Sequence, residues 1–208
     1  MSTVQALLAF SFAAFLLTIT PGLDTALVLR TAATEGPRRA FAAALGIGIG
    51  CLVWGVAAAC GAGALLTASE VAYAALKWAG AAYLVWMGVM MIAKPRNAFE
   101  PGAVAPTGGG AMASLRRGLL TNLLNPKVGV FYISFLPQFV PADANPATFG
   151  VVLAGLHVVM GLMWAGLLIG ATAPLAALLR EASVIRWLDR ITGGVFIAFG
   201  LRLALERR

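Results

Sequence analysis

The chain has 208 residues, 61% of them hydrophobic and 11% charged, with a mean hydropathy of +0.90. That is more apolar surface than one soluble core can hide from water, so the sequence describes a polytopic membrane protein. The net charge of +7 does not point to nucleic acid, because the basic residues fall between apolar runs instead of forming one stripe.

A helical span needs roughly 20 mostly apolar residues, and six runs qualify, near 5–29, 40–66, 71–93, 118–139, 148–172 and 187–205. The first is preceded by no basic residues and is longer than a signal core, so it reads as a span and not as a cleaved leader. It is interrupted by Thr20-Pro21-Gly22-Leu23-Asp24. Proline removes one N–H and frees backbone groups that hydrocarbon cannot satisfy, so the break at Pro21 and Gly22 must face protein or a wet cavity. The glycine-rich second run holds Cys51 and Cys60, which a continuous helix keeps about 13 Å apart along its axis, too far to bridge. No metal-ligand spacing is present, and no cofactor is expected. After the third run comes Lys94 to Arg117, rich in Pro, Gly and Ala, which reads as a flexible connection. The fourth run repeats the first device as Leu119-Leu120-Thr121-Asn122-Leu123-Leu124-Asn125-Pro126-Lys127, with the opposite charge after the proline. The fifth contains His157, the chain's single histidine, which suits either a proton relay or a neutral hydrogen bond between helices. The pairs Gly46/Gly50 and Gly166/Gly170 have the spacing of close helix packing, and Trp78, Tyr73 and Trp187 suit interfacial belts.

The basic residues also give an orientation. Arg30, Arg38 and Arg39 follow run one, Lys94, Arg96, Arg116 and Arg117 separate runs three and four, and Arg180, Arg186 and Arg190 lead into run six. The positive-inside rule then places these loops in the cytoplasm and both termini outside. Superposing Pro21 on Pro126 brings the two Leu-Leu-Thr segments near each other and lays the glycine-rich second run over the fifth. Three spans per copy is an odd number, so the second copy enters from the other side. The expected fold is all-α and integral to the membrane: two inverted three-helix repeats, 1–93 and 118–208, joined by a cytoplasmic linker, 94–117, with spans one and four broken at proline.

Two residues carry the chemistry. Asp24 reads as the one acid deep in a span, a placement costing roughly 2.5–3.5 kcal/mol unless it has partners. If Thr20 caps a half-helix restarted at Pro21, Asp24 would complement that helix's positive end. With Asn125 as a cap, Lys127 falls in the first turn of another half-helix, where the macrodipole disfavours a cation. A substrate carboxylate or Asp24 would hold it there, unless it snorkels to an interface. Asn122 and Asn125 either bond substrate or cover carbonyls freed by Pro126. A zwitterion needs one anion and one cation, and the chain supplies one of each at matching breaks. Thr20, Asp24, Asn122, Asn125 and Lys127 are therefore the candidate substrate-binding residues. An integral-membrane enzyme would need a nucleophile–base pair or a metal cluster that these residues do not make. A passive channel would also fit two broken helices lining a pore. An exporter of cations would fit Asp24 but leaves Lys127 unexplained.

Thr20-Pro21-Gly22-Leu23-Asp24, Gly36-Pro37-Arg38-Arg39-Ala40, Gly80-Ala81-Ala82-Tyr83-Leu84, Arg117 through Lys127 and Phe135-Leu136-Pro137-Gln138-Phe139 resemble, in this order, the LysE/RhtB family of amino-acid exporters. The resemblance runs nearly end to end. It implies a multi-pass efflux carrier of the inner membrane, driven by the proton motive force and moving amino acids or close derivatives. Its paired motifs fall on Pro21, Gly22 and Asp24, and on Asn125, Pro126 and Lys127. The partners it implies are a small zwitterionic amino acid, protons and membrane lipid, with homo-oligomer formation left open.

The orientation is testable in intact cells. Single cysteines at Ser69 and Asn145, on a cysteine-free background, are expected to react with an impermeant thiol reagent added outside, whereas one at Gly109 is not. Outside labelling at Gly109 would reverse the orientation.

Overall fold

In the computed structural model, which describes residues 2–68, 70–95, 110–141, 143–171 and 181–205, the chain is helical, with no strand among the described residues. The expected linker's residues 96–109, with Arg96 and Gly109, lie outside the described residues, as do Ser69, Arg180, Arg207 and Arg208.

Helix α1 (Thr3–Ile19) opens on a capping box, Ser2 accepting from the Gln5 amide and Gln5 reaching back to Ser2. It stops at Pro21. After Pro21 and Gly22 the chain resumes as α2 (Leu23–Glu35), bent by 51° from α1. Thr20 is thus the C-cap of α1 and Gly22 the N-cap of α2, which corrects the expectation of Thr20 as an N-cap. The polar segment Thr34 to Arg39 is also not the loop expected from its composition. Gly36 alone separates α2 from α3 (Pro37–Ala68), because its φ of 89° lets the chain reverse in one residue and Pro37 then starts the next helix. Helix α4 covers Glu70–Ala93.

The second half begins with α5 (Ala111–Leu123), so the last residues of the stretch read as a linker are already helical. At Pro126 the chain turns by 56° into α6, which runs from Pro126 to Phe139 and changes pitch twice, loosening to a π-turn over Phe131–Phe135 and tightening over Leu136–Phe139. Helix α7 (Pro146–Gly170) and helix α8 (Ala182–Leu205) are the last helices among the described residues. Among the described residues, α3 over Pro37–Gly61 and α7 over Pro146–Gly170 are each long and apolar enough to cross a membrane. The pairs α1–α2 and α5–α6 pass the same test as bent units, giving two to four candidate spans by length and composition, and α4 adds a shorter apolar stretch, Lys77–Ala93.

Helix α3 is the centre of the packing, lying against α5 and α7, while α4 pairs with α8 and α1 packs on α7. The α3–α5 contact is between backbones. A methyl group at Gly46 would strike the Leu115 carbonyl oxygen, and one at Gly118 would strike that of Ala43. Among the described residues, Gly166 and Gly170, which share the spacing, face nothing within 4 Å; spacing alone does not say which face of α7 meets a neighbour. A ladder of rings fills the core, with Phe135 stacked on Phe131 at 4.9 Å and edge-on to Phe199 at 4.3 Å, and Phe10 edge-on to Phe139 at 5.7 Å. Asp189, which the sequence reading leaves at the end of a span, is buried inside α8.

A partly buried ion pair ties α2 to α5. Arg117 donates from Nη1 to Glu35 Oε1 at 2.7 Å and from Nη2 to Glu35 Oε2 at 3.1 Å, and Arg39 adds a longer contact at 3.5 Å. This bidentate geometry is the strong form of a carboxylate bond. Arg117→Met keeps the side chain's apolar stem and removes both bonds, and is expected to lower stability by about 1.5–3 kcal/mol, read as a lower melting temperature in detergent. Arg117→Lys should recover only part of it, since a lysine cannot reproduce the fork.

Candidate functional site

The two breaks meet. Thr20 ends α1 with its hydroxyl donating to the Leu16 carbonyl at 2.6 Å, and the hydroxyl of Thr192 on α8 lies 2.6 Å from the Thr20 hydroxyl oxygen. With its own proton committed, Thr20 accepts from Thr192. At the second break Asn125 is the N-cap of α6, its Oδ1 accepting from the Lys127 amide at 3.1 Å, and Pro126 takes the first helical position.

The charges are held across the breaks. Lys127 Nζ donates to the Thr20 carbonyl at 3.3 Å and to that of Leu17 at 3.5 Å, the orphan acceptors at the end of α1. A lysine misplaced at the start of its own half-helix is therefore well placed at the negative end of the other one. Asp24, in the first turn of α2, accepts from Asn122 Nδ2 at 2.8 Å and from Asn125 Nδ2 at 3.5 Å. Asn122 is fully buried, and its Nδ2 also lies 3.5 Å from Cys51 Sγ. Its Oδ1 has no partner among the described residues and faces Gly50, where a methyl would stand 2.5 Å from that oxygen.

These groups border a partly open cavity of about 90 Å³ between the breaks and helices α3 and α7. Thr20, Gly22, Asp24, Asn125 and Lys127 line it, together with Cys51 and His157, while Asn122 stands behind Asp24 and Pro21 and Pro126 shape the breaks. The remaining wall is mainly aliphatic, from Leu17, Val28, Ile47, Val158 and Leu162. His157 Nδ1 is 2.8 Å from the Tyr132 hydroxyl, and the two rings stack at 5.6 Å. Trp164 also borders the cavity, but its Nε1 is enclosed and has no partner among the described residues. Trp78 and Trp187 are exposed on the outer surface, the position of an interfacial ring.

Sequence reasoning missed Cys51 and Thr192. Neither stands beside a break in the chain, and only packing of α3 and α8 against it brings them in. Gly50 gave a weak signal, since its lack of a side chain was assigned to helix packing in general.

Two bent helix pairs whose polar breaks converge on one cavity, in a chain this apolar, make this a multi-pass membrane protein. The chain belongs to the LysE type translocator family, whose sequence model matches residues 15–207. It is similar to the leucine efflux protein of Enterobacter sp. (strain 638), 31% identical over 92% of this chain and 91% of the relative. It is also similar to the homoserine/homoserine lactone efflux protein of Salmonella typhi, 29% identical over 96% of each, and to the threonine efflux protein of Escherichia coli (strain K12), 29% identical over 91% of this chain and 92% of the relative. These relatives are named for efflux and not for catalysis. No solved structure matches the chain.

The crowding between Gly50 and Asn122 gives a test of the site's construction. Gly50→Ala is expected to push Asn122 off Asp24 and to cost about 1–3 kcal/mol. Asn122→Ala should cost less in that background than in the wild type, a non-additivity visible in a double-mutant cycle of melting temperatures. Strict additivity would mean that the two side chains do not touch.

Proposed function

We propose that the protein exports small zwitterionic amino acids from the cytoplasm across the inner membrane, as a secondary transporter driven by the proton motive force. The observation that carries the reading is the pair of opposite charges, Asp24 and Lys127, each on one half-helix and both lining the same cavity. Helix α2 starts at Gly22 with no side-chain cap, so its first amides have no acceptor within the helix. Lys127 Nζ stands beside them, 4.0 Å from where a Gly22 side chain would begin. An amide-rich helix start and an ammonium suit the substrate's carboxylate. The carboxylate of Asp24 suits its ammonium, which would take over from the weaker of the two asparagine donors. The efflux names of the leucine, homoserine and threonine relatives support the same class of solute.

The repeat architecture belongs to this reading. Six spans in two inverted copies, residues 1–93 and 118–208 about a cytoplasmic 94–117, with both termini outside, would give the two sides of the membrane equivalent routes to one site. A two-fold relation finds support in the pairs that touch: α3 packs on α5 and, less extensively, α7 on α1, while α3 with α7, like α4 with α8, pair with their own counterparts.

Cells overproducing the protein should tolerate a toxic internal load of a small amino acid supplied as dipeptide and should release it faster. Asp24→Asn and Lys127→Met should each abolish that release while the protein still reaches the membrane, because each removes one of the two charges that hold the solute. Undiminished release by both variants would overturn the reading.

A further inference from the structure

Among the described residues no side chain of α8 lines the cavity, yet α8 is bonded to the end of α1 beside it. The buried residues Ile185, Asp189, Thr192 and Phe196 recur every three or four positions and so share one face of α8. Ile185 belongs to an apolar cluster with Val28 and Leu168, and Phe196 to another with Phe10 and Phe131. Thr192 stands between them, fully buried. A valine would fill the same space, and a buried hydroxyl costs free energy unless it is bonded. Its partner is the Thr20 hydroxyl at 2.6 Å.

That contact acts on the turn that Lys127 uses. In a continuous helix the amide of residue 21 would bond the Leu17 carbonyl, and a proline has none to give. The Leu17 carbonyl, with that of Thr20, is therefore open to the Lys127 ammonium, which reaches them at 3.5 and 3.3 Å. The neighbouring Leu16 carbonyl takes both the amide and the hydroxyl of Thr20, at 3.1 and 2.6 Å. The Thr20 side chain thus clasps the turn, and Thr192 holds the clasp from behind by donating to Thr20 Oγ1. Helix α8 has little room to give way. A methyl at Gly88 would stand 2.5 Å from the Gly193 carbonyl oxygen, and one at Gly193 would stand 2.6 Å from that of Gly88, so α4 and α8 meet backbone to backbone.

We propose that Thr192 is a positioning residue of the transport site: through Thr20 it fixes the turn of α1 on which Lys127 rests, and so makes the α4–α8 pair part of the frame that aims the ammonium at the substrate's carboxylate. The inference rests on the exporter reading, since only there does Lys127 meet a carboxylate. Thr192 itself does not touch the solute. Its loss removes no charge, and its effect is confined to the carboxylate end of the substrate.

The experiment uses full-length protein in liposomes, loaded in turn with a broad panel of labelled amino acids that includes leucine, threonine and homoserine. Initial efflux of the one moved fastest is then measured over a range of internal concentrations. Thr192→Val should raise its KM about five- to tenfold, the worth of one hydrogen bond in binding, and leave kcat within about twofold. Thr192→Ser, which keeps the hydroxyl, should restore KM. The amide of the same amino acid, which keeps the ammonium and lacks the carboxylate, is added inside as a competitor at a pH where its amine is protonated. Its inhibition constant should be the same for the wild type and Thr192→Val, because it gives Lys127 no carboxylate to hold. Thr192→Ala carries the same expectations where Thr192→Val does not insert. An unchanged KM in these variants, no rescue by Thr192→Ser, or an equal loss for the acid and its amide would overturn the inference and leave the exporter reading standing, the equal loss marking a merely structural role. A wild type that moves no amino acid in the panel sinks the exporter reading, and the inference with it.

Discussion

The bond from Lys127 to the carbonyls of Leu17 and Thr20 makes the rest of the architecture tenable. A helix that stops inside an apolar segment leaves acceptors that lipid cannot satisfy, at a cost of several kcal/mol for each group. Here the first break is closed by a residue of the second. The reverse is also true, since Asn122 and Asn125, on either side of the turn into α6, hold the carboxylate that follows Pro21. Neither break stands alone: each supplies the polar groups that the other lacks.

This reciprocity separates what could be read in the sequence from what could not. Pro21 and Pro126 announce the two breaks by local chemistry alone, and the charges after them stand out because ionised groups are rare in apolar runs. Asn125 as a cap follows from its place before proline. The partner of Lys127 was not legible, because a lysine in the first turn of a helix looks wrong until the end of another helix is brought next to it. Cys51 and Thr192 were illegible for a related reason, as buried polar groups are defined by what faces them and not by their neighbours in the chain. The turn at Gly36 was misjudged in the opposite direction. Two arginines, a proline and a glutamate read as a loop by composition, yet one glycine at positive φ is enough to reverse the chain, and Glu35 and Arg39 join Arg117 in a bridge.

The site is economical in charge. The hydrogen bonds that reach Asp24 and Lys127 across the breaks come from neutral dipoles: two amide groups for the acid, two carbonyls for the base. Neutral partners are easier to exchange than a direct ion pair, since each released amide or carbonyl costs one hydrogen bond and leaves no bare charge behind. A solute with its own ammonium and carboxylate can therefore replace these contacts one at a time.

The glycine contacts between α3 and α5 bear on how such a molecule could move. Where Gly46 and Gly118 let two backbones touch, there is no layer of side chains to shear, so these helices must travel together. Yet α3 comes from the first half of the chain and α5 from the second. The seam along which the protein can hinge thus does not follow the order of the sequence, and any rigid body that swings must be assembled from pieces of both halves.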